Sequence, residues 1–186
     1  MWNFFSAAPG KKLNRSYIGT LSDAIIRYLY EAEYYEKAQY LVGVAISQLA
    51  DKETLIFARA INLRGLLYLD ANQPKNALEH FKTGLSIRQK LLNHTDGFVA
   101  SSLSNVGLAY TELNDFDQSI ALHQRAIDIR LTTNSDMIGN SYSNMASCLL
   151  RMGKENEAEK MLMQCPLLQD MSDESFLRTD NPRFVR

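Results

Sequence analysis

A chain of 186 residues, 46% of them hydrophobic, is long enough to bury a substantial core within one domain. Its formal net charge of -1 and pI near 6.3 give no basic face for a nucleic-acid backbone, and no apolar run approaches the ~18 residues that would span a membrane. Two cysteines, Cys148 and Cys165, are too few for a disulfide framework and read as reduced thiols, which points to the cytoplasm.

The first fifteen residues, MWNFFSAAPGKKLNR, do not read as a signal peptide, because the charges at Lys11, Lys12 and Arg15 follow the apolar residues. Trp2, Phe4 and Phe5 form an aromatic segment that either covers the start of the following domain or serves as a short interaction tail. From residue 16 to 165 apolar residues recur with helical periodicity. They predict paired helices near 17–31 and 35–50, 53–70 and 74–92, 97–112 and 116–132, and 136–151 and 155–164. Pro74 suits the first position of its helix, where a missing N–H leaves no bond unmade. Asp115 with Gln118 reads as a capping box. Turn-rich breaks at Asn93–Gly97 and Thr132–Ser135 separate the pairs, and nothing alternates with the period of a strand. Residues 166–186 lose the pattern; they fold back, meet another subunit, or begin a further repeat of a longer array.

The pairs are copies of one another. In the third, Leu103, Val106, Gly107 and Tyr110 fall on one helical face, and Phe116, Ser119, Ile120, His123, Ala126 and Ile127 repeat that spacing. Shifted back 42 residues, Gly65, Leu66, Tyr68, Asn72, Ile87 and Arg88 match Gly107, Leu108, Tyr110, Asn114, Ile129 and Arg130. Ala77 and Phe81 stand where Ser119 and His123 stand, and Ala146 takes the place of Gly107 one copy later. A weaker copy starts at Ile26. Small residues at Gly107, Ser119 and Ala126 allow two helices to approach closely.

This small/aromatic pattern resembles tetratricopeptide repeats, and the stretch from Gly84 to Tyr110 is similar to the 42-residue repeats of kinesin light chains and LGN-type scaffolds. The resemblance implies an all-α, right-handed solenoid of about four repeats, with the first helix of each lining a concave groove that takes an extended peptide or a partner helix. His123 and Pro74 replace aromatics usual in the family.

The sequence carries no phosphate-binding glycine loop, dinucleotide fingerprint, nucleophile elbow or zinc-protease motif. His80, His94 and His123 are scattered, and His123 reads as a packed, hydrogen-bonded residue. Cys148 lies in the apolar pattern, and Cys165, before a proline, reads as the more exposed thiol. No catalysis, cofactor or metal is expected. The informative side chains are therefore those of the first helices that face away from the core: Arg27, Arg59, Asn62, Ser101, Asn105, Leu108, Glu112, Asn140, Asn144 and Arg151. In arrays of the kinesin light chain and LGN type the asparagine matching Asn105 and Asn144 bonds the backbone of a bound peptide, and an amide offers the donor and acceptor that an extended main chain presents. The column Glu31, Asp70, Glu112 would select basic side chains. Arg88 and Arg130 read as structural links between repeats. The expected function is binding of a protein or extended peptide, with no nucleic acid or membrane partner. The alternatives are a scaffold that self-associates through open array ends and a sensor of peptides or small molecules.

Overall fold

A computed structural model describes residues 35–49 and 51–167, and among them seven helices and no strand. They are α1 (Tyr35–Gln48), α2 (Leu55–Asp70), α3 (Pro74–Leu91), α4 (Gly97–Glu112), α5 (Phe116–Thr132), α6 (Ile138–Arg151) and α7 (Glu155–Met163). Each boundary lies within two residues of the one the periodicity predicts. The helix expected near 17–31, with Arg27, the aromatic segment Trp2–Phe5 and the tail beyond residue 167 lie outside the described residues.

Three hairpins, α2–α3, α4–α5 and α6–α7, stack in sequence, each second helix packing on the first helix of the next hairpin. Within each hairpin the turn is made the same way. Asn72, Asn114 and Gly153 adopt left-handed backbone with φ of 56°, 60° and 75°. The following N–H groups then reach back across the helix end, Gln73 to Tyr68 O, Asp115 to Tyr110 O and Lys154 to Leu149 O, at 2.8–3.0 Å. This satisfies carbonyls that a helix end would leave bare. A side chain with an ordinary Cβ resists that conformation, whereas asparagine tolerates it and glycine is indifferent. Asn114→Ala is expected to cost about 1–2 kcal/mol in a denaturant titration and Asn114→Gly to cost nothing. Equal stability of the two would remove the turn from the account of the hairpin.

The interior runs as a strip through the stack. Gly65 and Gly107 are buried under the rings of Phe81 and His123, which occupy equivalent places on the second helices. A Cβ built on Gly107 would stand 2.7 Å from His123 Cε1, so a glycine is needed there for the ring to seat. Ala126, fully buried, packs with Val99, Ala100 and Leu103, which confirms it as a point of close helix approach. Ser119, at the remaining small position, shares a buried hydrogen bond of 2.6 Å with Thr111 Oγ1.

Three local expectations need correction. Asp115 stands at the N-cap of α5 but makes no side-chain cap bond, because its backbone has φ -88° and ψ 73° rather than the extended conformation that turns a capping side chain inward. Helical caps are instead made by Thr54, accepting from Phe57 N, and Asp96, accepting from Phe98 N. Cys165 is buried, 3% exposed, because the chain leaving α7 returns to pack on Ile138 and Tyr142 of α6. His123 is packed as expected but neither ring nitrogen has a hydrogen-bond partner.

Candidate functional site: the shared face of the first helices

Besides packing on their own hairpins, α2 touches α4 and α4 touches α6, whereas successive second helices meet less. The face that the first helices share therefore lies on the inner side of the stack. On α4 it carries Phe98, Ser101, Asn105 and Glu112, at i, i+3, i+7 and i+14.

The structure brings several of the expected residues together across repeats. Asn105 on α4 donates from Nδ2 to Asn62 Oδ1 on α2 at 3.0 Å, with both side chains half-buried. The bond fixes both amides and leaves Asn105 Oδ1 and the Asn62 amide hydrogens to be satisfied from the groove. Asn144, also half-buried, holds the station of Asn105 one repeat on. Ser101 donates to Gly97 O at 2.9 Å and accepts from Arg130 Nη2 at 3.2 Å, so it is tied into the framework. Glu112 and Arg151 form an ion pair of 3.1 Å between successive repeats, each side chain 41% exposed. That pairing neutralises the acid expected to select basic ligands; Asp70, the other described acid of the column, is also exposed. Leu108 is half-buried, Arg59 and Asn140 are exposed, and Arg27 lies outside the described residues.

One row on this face was not read from the sequence. Ile56 and Phe98, the second residues of α2 and α4, and Met137, just before α6, hold matching positions in the three repeats and are 39%, 60% and 49% exposed. Each lies nine residues before the small residue of its repeat, Gly65, Gly107 or Ala146, a half-turn from the packed side. That spacing was the available signal.

Arg88 and Arg130 do link repeats. Arg88 Nη1 donates to Phe98 O at 3.0 Å and Ser102 Oγ at 2.7 Å, and Arg130 Nη1 to Met137 O at 2.9 Å and Ser141 Oγ at 2.6 Å. Burial pushes both guanidinium pKa values down, and for Arg88 repulsion from Arg59 adds to it while Asp96 opposes it. Among the described residues no group of His, Cys, Asp and Glu is arranged to hold a metal ion, and no helix is long and apolar enough to cross a membrane.

Stacked helical hairpins with a continuous, side-chain-rich inner face define an α-solenoid repeat protein. The chain belongs to the tetratricopeptide-repeat family: models of that repeat match residues 57–132 and 139–165, together more than half of the sequence. Repeats of this kind mark a protein-interaction or scaffold module and are generally non-catalytic. No curated protein matches the sequence. Among solved structures, BtubC (BKLC) from P. vanneervenii superposes with a TM-score of 0.74 at 16% identity, over 96% of this chain and 71% of that one. The nearly identical TPR-like repeats of a kinesin light chain-type protein from Podosopora anserina give 0.72 at 16% identity, over 87% and 79%. The apo form of RapI gives 0.70 at 16% identity, over 87% of this chain but 45% of RapI. At such identity these likenesses speak for the fold.

Proposed function

We propose that the chain binds a protein partner through an extended segment laid along the shared face of α2, α4 and α6, with Asn105 and Asn144 holding the segment's main chain. The observation that carries this reading is the amide row. Asn105 is held in place by Asn62 and still has an acceptor to offer, and Asn144 stands in register one repeat on. Pre-positioned amides lose little freedom on binding, and an extended backbone presents the matching donors and acceptors.

The test is the double variant Asn105→Ala with Asn144→Ala. Peptides selected on the native chain from a randomised library should bind it about tenfold to several-hundredfold more weakly. That is the effect of losing about 0.5–1.5 kcal/mol for each amide, or up to ~3 where backbone groups are left buried and unpaired. The fold should be nearly unaffected, because neither residue belongs to the buried core. Binding as tight as that of the native chain, in a variant with an unchanged melting temperature, would count against the groove. Self-association is the second reading, and Leu150 and Leu167, 53% and 46% exposed in the last hairpin and just after it, favour it. Light scattering separates the two, since a scaffold should not remain monomeric at about micromolar concentration.

A further inference from the structure

The joint between α1 and α2 departs from the rule that the next two joints follow. Arg64 directly precedes Gly65, the place that Val106 holds before Gly107 and Met145 before Ala146. Gln39 directly follows Ala38, the place that Leu78 holds after Ala77 and Ile120 after Ser119. In the later joints these positions are apolar and share a cluster: Leu78 with the buried Val106, and Ile120 with the buried Met145. In the first joint both are polar, and the space is open. Gln39 and Tyr40 of α1 with Arg64 and Tyr68 of α2 line a cavity of about 280 Å3. A joint that served stacking alone would use the apolar pair again, since that pair removes more apolar surface from water.

The cavity is furnished for a ligand with one negative charge and a flat body. Arg64 is half-buried, and its guanidinium lies over the Tyr68 ring, 5.7 Å from the centroid. His80 of α3 packs on the same ring at 5.0 Å between centroids and helps to hold it. Among the described residues no hydrogen bond or ion pair engages the Arg64 guanidinium. Its planar fork of N–H groups is left for an oxyanion, and a carboxylate accepts from two of them at once. The Gln39 amide adds a further donor. Arg64 is the one charged residue of the lining, which matches a single carboxylate and leaves a phosphate dianion under-compensated. Tyr40 and Tyr68 supply aromatic walls, and the volume falls at the lower end of small-molecule sites, which run to roughly 300–1,000 Å3. Arg64 stands about 200° around α2 from Asn62, so the cavity opens away from the amide row.

We propose that this cavity binds a small aromatic carboxylate, with the carboxylate on the Arg64 fork and the ring between Tyr40 and Tyr68. Because the walls come from α1 and α2, the bound molecule bridges the joint and adds to its stability. The site is independent of the inner face and of any peptide bound there.

The experiment titrates the full chain with benzoate and with indole-3-carboxylate, followed through the Arg64 Nε–Hε resonance and the melting temperature. Benzamide and inorganic phosphate are the controls for charge and for shape. Both carboxylates should shift the resonance saturably, at one site, and raise the melting temperature; the controls should do neither. Arg64→Val installs the residue found in the next repeat, so it should leave the chain folded and weaken carboxylate binding at least tenfold. Tyr40 is 71% exposed, and Tyr40→Ser should weaken binding severalfold at an unchanged melting temperature, which keeps the test decisive if Arg64→Val fails to fold. Carboxylates that leave the Arg64 resonance unmoved overturn the proposal, as does equal binding of benzamide, tighter binding of phosphate, or undiminished binding by a folded Arg64→Val or by Tyr40→Ser. The Asn105/Asn144 variant should bind the carboxylates as the native chain does. A loss there would place the ligand on the inner face and remove this cavity.

Discussion

Phe81→Ala is expected to lower stability by about 3–5 kcal/mol, the usual range for deleting a fully buried ring. Phe81 is 0% exposed and lies directly on Gly65 of α2, while its cluster includes Ala77 of its own helix and Val106 and Ala109 of α4. One ring thus fills the space within one repeat and the joint to the next. A repeat array is held by intrinsic and nearest-neighbour terms, so removing the ring should weaken both and uncouple α2–α3 from α4. Denaturant titration followed by far-UV circular dichroism should show an earlier and broader transition than in the native chain. A midpoint shift of less than about 1 kcal/mol would mean that the site collapses to refill the cavity, and the account of Phe81 as the joint between repeats would fail.

At the equivalent place in the next repeat, acid should do to His123 what truncation does to Phe81. Burial without a hydrogen-bond partner lowers the His123 pKa from 6.5 to about 4. The folded state therefore prefers the neutral ring, and the unfolded chain takes up the proton first. The stability tied to this residue is fully present above pH 6.5 and is lost as the pH falls from there towards 4. The loss amounts to about 2 kcal/mol at pH 5 and roughly 3 kcal/mol once both states are protonated. His123→Phe copies the Phe81 arrangement, with Gly107 already cleared of a Cβ to receive the ring. It should raise stability at neutral pH by about 1–3 kcal/mol, since two buried polar atoms no longer go unpaired. It should also flatten the slope between pH 6.5 and 5, a window in which most carboxylates are still ionised. Parallel slopes for the two proteins would show that His123 is solvated or paired in solution.

The sequence by itself determined the array. Helical periodicity, the 42-residue offset from Gly65 to Gly107 and the small residues at Ser119 and Ala126 are local or repeated signals, and repetition lets weak local evidence accumulate. Even the turns were legible, since Asn72 and Asn114 stand where left-handed backbone is needed. Whether a polar side chain is spoken for depends on residues tens of positions away. The pairing of Asn105 with Asn62, the neutralisation of Glu112 by Arg151 and the burial of Cys165 against Ile138 therefore had to wait for the tertiary structure. The edge formed by Ile56, Phe98 and Met137 followed the same rule. Hydrophobicity alone assigns such residues to the core, and only the stacking of α2, α4 and α6 leaves them partly exposed, with the Arg88 guanidinium over the Phe98 ring. The missing cap at Asp115 is a smaller instance: residue type named the position, but the backbone dihedrals decided whether its carboxylate could turn inward.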